Sequence, residues 1–418
     1  FCTAYTTETS GPRHSIERQT LFGFCRQIQR GIQARNSRLY RLALGQAWQP
    51  LQPRICSKWH LCRYCLRSFG ARKAHGKSFR YSPFMSRLKL LLIGLGRMGR
   101  VHANALAKSN SIEVVAVADP SLQSIEHAKK TFLGVATFAD FRQAIKHPGL
   151  EAVLIASPTP LHAEMVDLAL SENLHVLCEK PLALNVEIAN NLASKAKSRN
   201  LVLQIGHWRR FSPPWVAAKS LLENGAIGEP LFIRLSQWDA NSPPASFCDP
   251  EVSGGLAIDC GVHEYDLAEW FFGEPALSVM AWKLPIVDKS LEAVGDVDNL
   301  CLVIEFAGSR RAFVDLSRNC RYGDDVRTEI LGSEGAIFID LLPTGRTRLA
   351  NKDGVVEVAG SQVSDATAAG VENQLTAFVQ AIRGNGSTKV PSGQDSARST
   401  QIGHAAIRSA HSGAKVAI

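Results

Sequence analysis

Hydrophobic and polar positions follow different patterns before and after residue 208. Between residues 85 and 208, short apolar runs alternate with stretches of helical periodicity. The runs are nearly continuous, as is typical of strands buried on both faces of a sheet. They predict strands at 88–93, 113–119, 151–157, 175–180 and 201–205, with helices at 121–132 and 186–198. Strands and helices that alternate at these lengths predict right-handed crossovers and a parallel, doubly wound sheet.

After residue 208, strand-like runs follow one another without intervening helices. They occur at 231–238, 278–283, 299–306, 311–316, 327–331 and 336–339. Helical patterns occur at 214–223, 259–272, 372–383 and 395–410. Consecutive strands predict a mostly antiparallel sheet with one face covered. The predicted fold class is therefore α/β, with a first domain at 85–208 built on a doubly wound parallel sheet and a C-terminal α+β domain at 209–418.

Residues 1–84 differ from the rest in charge. They hold 15 Lys and Arg against two acidic residues, whereas the whole chain has a net charge of +9. The remainder is mildly acidic, so the basic surplus does not indicate a nucleic-acid partner for the folded part. We expect this segment to be an unfolded leader, either translated sequence upstream of Met85 or an organellar transit segment.

The same segment contains a superficially zinc-like group, formed by Cys56, His60, Cys62, Cys65 and His75. A CxxC pair needs a second ligand pair at suitable spacing, and the two histidines do not supply one. We therefore expect no metal. No apolar run approaches the ~20 residues of a membrane span, so we predict a soluble, cytoplasmic protein without a membrane partner.

Gly94, Gly96 and Gly99 form a GxGxxG motif directly after the first predicted strand. In a dinucleotide-binding turn these glycines permit the bend, the approach of a pyrophosphate and the packing of helix on strand. The second strand ends at Asp119, 20 residues after Gly99, where a carboxylate can accept both ribose hydroxyls. Its charge would repel a 2′-phosphate, so the motif predicts a Rossmann domain with NAD, not NADP, as the cofactor. The alternative is a structural turn without a ligand.

Two later segments carry candidate chemistry. Lys180 ends a predicted parallel strand before Pro181, where its ammonium would bind a substrate hydroxyl and stabilise a developing alkoxide. The alternative is a solvated surface lysine. Asp259, His263 and Asp266 stand at i, i+4 and i+7, which places them on one helix face. A carboxylate beside an imidazole suits a general base, and the alternative is a capping Asp on a polar helix face.

These motifs together resemble the glucose-fructose oxidoreductase, inositol dehydrogenase and MocA family (Gfo/Idh/MocA). The resemblance spans residue 87 to the C-terminus and includes the glycine loop and the GG…D…H…D helix. It also includes the EKP sequence at 179–181, the QIGHWRRF sequence at 204–211 and the YGD sequence at 322–324. Within the family, the GLGRMGRVHA and EVVAVADP sequences and the double arginine at 209–210 are most similar to inositol 2-dehydrogenases.

The resemblance implies roles for the matching positions. His263 would take the hydroxyl proton, Asp259 would orient and tune it, and Lys180 would hold the reacting oxygen while hydride passes to nicotinamide. Contacts with the substrate ring are implied for Arg209, Asn241 and Asp266, with Tyr322 closing the pocket. Contacts with NAD are expected from Gly94, Gly96, Arg97, Met98, Gly99, Asp119, Ser157, Thr159, His162, Glu179 and Lys180.

The predicted function is NAD-dependent oxidation of a secondary hydroxyl of a cyclic polyol, with myo-inositol oxidised at C2. Trp208 and Asp239 occupy pocket positions where inositol dehydrogenases carry other residues, so a sugar or dihydrodiol dehydrogenase is an alternative. A non-catalytic NAD-binding regulator is a second alternative, against which Lys180, Asp259 and His263 argue. The resemblance further implies a homotetramer.

Overall fold

The first sheet has six strands, each close to a predicted apolar run. Their bounds are β1 (Leu88–Ile93), β2 (Ile112–Ala118), β3 (Ala136–Phe138), β4 (Ala152–Ile155), β5 (His175–Cys178) and β6 (Leu203–Ile205). The sheet order is β3-β2-β1-β4-β5-β6, and every neighbouring pair is parallel. The predicted doubly wound sheet is thereby confirmed, although the short strand β3 was not predicted.

The computed structural model describes residues 86–340, 344–384 and 389–418. The expectations for residues 1–84, including the zinc-like group, lie outside these described residues. Helices of the first domain are α1 (Arg97–Ala107), α2 (Leu122–Thr131), α3 (Phe141–Ala144), α4 (His162–Ser171) and α5 (Val186–Ser198). Polar side chains fix where two of them begin, because Ser121 and Asn185 accept a hydrogen bond from a backbone N–H three residues later.

The second sheet has nine strands in the order β14-β13-β12-β11-β7-β10-β9-β8-β15. Only β7 and β10 pair in parallel, and the other neighbouring strands are antiparallel, which confirms the predicted mostly antiparallel sheet. The bounds are β7 (Pro230–Trp238), β8 (Ser278–Lys283), β9 (Asn299–Glu305), β10 (Arg311–Ser317), β11 (Asp325–Gly332), β12 (Gly335–Asp340), β13 (Thr344–Asn351), β14 (Gly354–Gln362) and β15 (Val416–Ala417).

Eight helices accompany this sheet in the described part of the chain. They are α6 (Pro213–Glu223), α7 (Ala245–Cys248), α8 (Pro250–Ser253), α9 (Gly255–Asp259), α10 (Gly261–Phe272), α11 (Lys289–Ala293), α12 (Val363–Ile382) and α13 (Gly393–Ser412). Short 3₁₀ helices lie at Thr159–Leu161, Trp208–Phe211 and Ala307–Ser309.

The structure corrects three details of the sequence analysis. The helix predicted at 259–272 is divided at Cys260, because a 3.2 Å bond from the His263 N–H to the Cys260 carbonyl tightens the turn. Asp259 therefore ends α9, and His263 lies in the first turn of α10. The hairpin of β13 and β14 was missed, since its many polar and glycine positions give only weak alternation. Helix α12 begins at Val363 and not at residue 372.

Three hydrophobic cores hold the described residues together. One lies on each face of the parallel sheet, and the third lies between the nine-stranded sheet and its helices. Helix α12 contributes Val371, Leu375, Phe378 and Val379 to one of the two cores of the parallel sheet. The C-terminal part of the chain thus returns to the first sheet and covers one of its faces.

Candidate active site

The glycine loop between β1 and α1 has the geometry of a dinucleotide-binding turn. Gly94 has a φ of +85°, and a Cβ there would lie 2.5 Å from the Ala156 carbonyl oxygen. A Cβ at Gly99 would lie 2.0 Å from the Gly94 carbonyl oxygen. Gly96 precedes α1 and has no neighbouring atom within 4 Å of such a Cβ. The loop therefore packs tightly at its first and third glycines and stays open at the second, where a pyrophosphate fits.

Asp119, directly after β2, is tied to this loop. One carboxylate oxygen accepts the Leu95 N–H at 2.7 Å, and the other accepts the Ser121 N–H at 2.8 Å. The side chain is half-buried. Its position at the carboxyl edge of the parallel sheet, beside the glycine loop, fits the ribose of a dinucleotide.

The segment after β4 is fixed by a buried histidine. His162 has its Nδ1 2.8 Å from the Pro181 carbonyl oxygen and its Nε2 2.8 Å from the Ser157 carbonyl oxygen. Burial lowers the pKa of His162. The ring therefore joins the ends of β4 and β5, while Ser157 and Thr159 are half-buried at the same edge of the sheet. His162 is 1% exposed, so the structure places it behind the edge and not at its surface.

Glu179 is likewise turned into the protein. Its carboxylate lies 2.6 Å from the Nε2 of His102, which comes from α1. Burial alone would raise the pKa of Glu179, but the hydrogen bond with His102 and the charges of His102, Lys180 and His162 together outweigh burial and lower it. This buried pair links the helix of the glycine loop to the strand end that carries Lys180.

Lys180 reaches across to the second domain. Its Nζ donates to the backbone carbonyl of Asp259 at 2.6 Å and to the Asp259 carboxylate at 3.1 Å. The two side chains are only 16% and 19% exposed. Burial favours the neutral carboxyl, but the charges of Lys180 and Arg318 outweigh it and hold the pKa of Asp259 below its usual value. Lys180 is therefore not a solvated surface lysine but half of a partly buried ion pair.

His263 lies close to this pair without touching the carboxylate. Burial is the main reason why the pKa of His263 lies well below its usual value, and the Lys180 and Arg209 charges lower it further. In the described residues, no hydrogen bond joins Asp259 to His263. The expectation that Asp259 raises the basicity of this imidazole is therefore wrong: the carboxylate is engaged by two cations. The imidazole is neutral at pH 7, which is the form a general base needs.

Asp266 and Arg209 take part in separate buried ion pairs. Asp266 binds the Arg210 guanidinium through both oxygens at 2.8 and 2.5 Å. Arg209 pairs with Glu264 and donates to Gln237 at 2.9 Å. Asp266 is 3% and Arg209 5% exposed. The charges of Asp266 and Arg209, which the resemblance assigned to the substrate, are thus paired within the protein. Because they are paired, the two side chains can be buried.

The remaining predicted residues differ in how far they are exposed. Asn241 is exposed in the loop after β7. Tyr322 is 67% exposed, and its hydroxyl donates to Asp325 at 2.7 Å. Arg97 is exposed and Met98 half-buried at the start of α1. The Arg97 charge lowers the pKa of both Asp259 and His263, so the start of α1 lies near these two second-domain residues.

Sequence reasoning missed several residues of this site. Arg318 contacts the Asp259 carboxylate at 3.4 Å and Asp296 at 2.7 Å, and its side chain is fully buried. His207 is 1% exposed and packs edge-on against His263 with ring centres 6.4 Å apart. Neither residue belongs to a repeated spacing, so only the three-dimensional fold brings them to the site. For His207, the only signal in the sequence was its place in the QIGHWRRF sequence, two residues before the double arginine.

Comparison with known proteins agrees with this geometry. Residues 88–207 match the model described as the oxidoreductase family with an NAD-binding Rossmann fold. Residues 215–338 match the model of the GFO/IDH/MocA C-terminal domain. The chain belongs to this family of oxidoreductases, and its first domain is an NAD-binding domain.

Two relatives named as inositol dehydrogenases align with 60% or more of the chain. The chain is 31% identical to the scyllo-inositol 2-dehydrogenase (NAD(+)) of Bacillus subtilis over 335 residues, which are 79% of this chain and 96% of that protein. It is 33% identical over 253 residues to the myo-inositol 2-dehydrogenase of Thermotoga maritima, covering 60% and 75% of the two chains.

A solved structure of an inositol dehydrogenase is also similar to this chain. The scyllo-inositol dehydrogenase of Lactobacillus casei, determined with bound NAD(H) and scyllo-inositol, superimposes with a TM-score of 0.71 at 28% identity. The match covers 79% of this chain and 99% of that one. Among the described residues, no helix combines the length and apolar character that crossing a membrane requires.

Proposed function

We propose that this protein oxidises a secondary hydroxyl of a cyclic polyol to a ketone, with NAD as the hydride acceptor and myo-inositol, oxidised at C2, as the substrate. The observation that carries the proposal is the meeting of Lys180, Asp259 and His263 beside the start of α1. The ammonium and the imidazole come from different domains, yet they lie close enough for the Lys180 charge to lower the pKa of His263. A hydroxyl placed between them has a cation for its oxygen and a base for its proton.

The residues divide the chemistry in the following way. NAD, when bound, accepts the hydride from the carbon that carries the hydroxyl. His263 takes the hydroxyl proton, since its lowered pKa keeps it neutral and ready to accept at pH 7. Lys180 donates a hydrogen bond to the oxygen and stabilises the negative charge that develops as the proton leaves.

Asp259 holds Lys180 in place, because the carboxylate and the backbone carbonyl accept two of the three ammonium hydrogens. Its third hydrogen is left for the substrate. Gly94, Gly96 and Gly99 bind the pyrophosphate, and Asp119 accepts from the adenosine ribose.

The names of the relatives do not decide between two substrates, because they include both scyllo- and myo-inositol enzymes. A sugar dehydrogenase is the second candidate, favoured by Asp239 near the site. Its carboxylate lies 3.3 Å from the Cys260 thiol, beside Asp259.

The experiment is an initial-rate assay of the purified protein with NAD and a panel of myo-inositol, scyllo-inositol, glucose, galactose and a dihydrodiol. The matched control is His263→Gln, which keeps a polar side chain of similar length. Turnover of myo-inositol that the variant lacks supports the proposal. Turnover of glucose or galactose alone favours the second candidate, and NAD binding without turnover of any substrate identifies a non-catalytic regulator.

We further propose that the protein forms a homotetramer through the exposed side of the nine-stranded sheet. Large apolar side chains on these strands remain 40–46% exposed, namely Leu231, Trp282, Phe313 and Leu331. Apolar patches on a sheet face are typical of an interface between subunits. Light scattering after size-exclusion chromatography tests the proposal, and a monomer would contradict it. Cytoplasmic location stays a prediction.

A further inference from the structure

Arg318 is the one fully buried arginine side chain that reaches the proposed site in the described residues. It follows β10, where its N–H donates to the Asp298 carbonyl at 2.9 Å. One guanidinium nitrogen lies 2.7 Å from the Asp296 carboxylate and another 3.4 Å from the Asp259 carboxylate, with no exposed side-chain surface. A buried cation is tolerated only when it is paired, and here two carboxylates share it.

The pairs form a row of alternating charge. Lys180 contacts Asp259, Asp259 contacts Arg318, and Arg318 contacts Asp296. Asp296 also accepts the Leu256 N–H in the first turn of α9 through both oxygens, at 3.0 and 3.1 Å. The far end of the row is thus anchored to the helix that ends at Asp259.

The two carboxyl groups in the row have pKa values shifted in opposite directions. Burial raises the pKa of Asp296 despite Arg318, whereas the pKa of Asp259 lies below its usual value because Lys180 and Arg318 together outweigh burial. Four charged or titratable groups face Asp259 directly: Lys180, Arg318, Arg97 and Cys260. Two more lie behind them, since Asp239 contacts Cys260 and Asp296 contacts Arg318. Of the two cations in contact with Asp259, only Arg318 is always charged and makes no contact with the substrate in the proposed reaction.

We propose that Arg318 is a positioning residue that keeps Asp259 ionised and aimed at Lys180. This inference rests on the proposed function, because it assigns to Arg318 the control of the lysine that holds the reacting oxygen. Without the guanidinium, Asp259 keeps Lys180 as a contacting cation and Asp296 loses its contacting cation, so the pKa of both buried carboxyls rises and a smaller fraction of Asp259 stays ionised as the pH falls. A protonated Asp259 no longer holds the ammonium.

The test compares kcat/KM of Arg318→Met with the wild type between pH 6 and pH 9. The ratio of wild type to variant is expected to be larger at pH 6 than at pH 9, by up to about tenfold for each pH unit that lies below the raised pKa of Asp259, because the ionised fraction of a carboxyl falls tenfold per unit there. Asp296→Asn in the Arg318→Met background is expected to restore activity, because it removes the competing carboxylate. Arg398→Met is the matched control: it removes an arginine paired with Glu269 of α10, outside the site.

A ratio that does not change with pH, together with further loss in the double variant, would overturn the proposal and assign Arg318 a purely structural role. Where Arg318→Met does not fold, Arg318→Lys replaces it: the retained charge is expected to preserve the wild-type pH profile, and a changed profile contradicts the proposal.

Urea unfolding keeps this test separate from the proposed function. The lowered pKa of Asp259 contributes stability that is present above its unfolded pKa, about 4, and is lost as the pH falls further. Loss of Arg318 raises the folded-state pKa values of the two carboxylates, so the deficit in stability of Arg318→Met should be smaller at pH 5 than at pH 8. If the wild type oxidises no polyol or sugar, the proposed function fails, and this measurement still decides the role of Arg318. A deficit independent of pH counts against it.

Discussion

The two sides of the candidate site differ in how their polar groups are satisfied. On the lysine side, Lys180 and Asp259 have partners at 2.6–3.4 Å. On the histidine side, and within the described residues, neither ring nitrogen of His207 has a hydrogen-bond partner, and neither has the Nδ1 of His263. His207 is only 1% exposed, whereas the side chains of Lys180 and Asp259 are 16% and 19% exposed.

The difference follows from the task proposed for each side. A charge that must stay in place during the reaction is best held by fixed partners, since a preorganised site costs no reorganisation. A general base must be neutral before it accepts a proton, and burial together with the nearby cations keeps His263 in that form. Buried nitrogens without a hydrogen bond cost stability, although the Nε2 of His207 lies 3.7 Å from the Asp266 carboxylate.

The largest effect is expected on the histidine side. His263→Gln should lower kcat by about 10²- to 10⁴-fold, because general base catalysis contributes that range. The affinity for NAD should not change, and isothermal titration of NAD serves as the control. Turnover close to that of the wild type would remove His263 from the proposed mechanism.

On the lysine side, Lys180→Met should lower kcat by about 10²- to 10³-fold, as is typical for loss of one group that stabilises a developing oxyanion. Among the described residues, the variant also leaves Arg318 as the one cation in contact with Asp259. Steady-state kinetics with the best substrate of the panel measure the effect. An increase in KM with unchanged kcat would mean that Lys180 binds the substrate without stabilising the transition state.

A substitution at Asp119 should change the choice of cofactor without acting on the lysine or histidine side of the site. Asp119→Ser removes a carboxylate that accepts two backbone N–H groups, and we expect the preference for NAD over NADP to fall about tenfold, the worth of one charge-assisted hydrogen bond. The ratio of kcat/KM values for the two cofactors measures it. If the ratio stays constant, Asp119 does not select the cofactor.

The smallest effect is expected for His207→Phe, which preserves the edge-on ring contact and removes both nitrogens. At pH 8, kcat should change by less than about threefold, because the aromatic packing is kept. Wild-type oxidation should decline only below pH ~6.5, the usual pKa of histidine, since burial lowers the pKa of His263.

The His207 charge lowers that pKa further, so in His207→Phe the decline should begin at a higher pH. A pH–rate profile from pH 5 to pH 9 measures the shift. A decline that begins at a lower pH than in the wild type would contradict the electrostatic role of His207.

Much of the architecture could be predicted because it is local. The apolar runs that form β1 and β2 and the glycine spacing between them depend on residues close in sequence. The partners of the site are not local: Arg318 lies 59 residues from Asp259 along the chain. The double arginine shows the same limit, since one member pairs with Glu264 and the other with Asp266, and the sequence does not distinguish them.

Helix α12 has a consequence for the integrity of the molecule. Because Phe378 and its neighbours share a core with α1, α2 and the parallel sheet, a fragment cut after residue 208 would lose part of the apolar cover of that face. The core of the nucleotide-binding half is therefore completed by a segment that is translated long after it. We expect the two halves to fold together and not as separate domains.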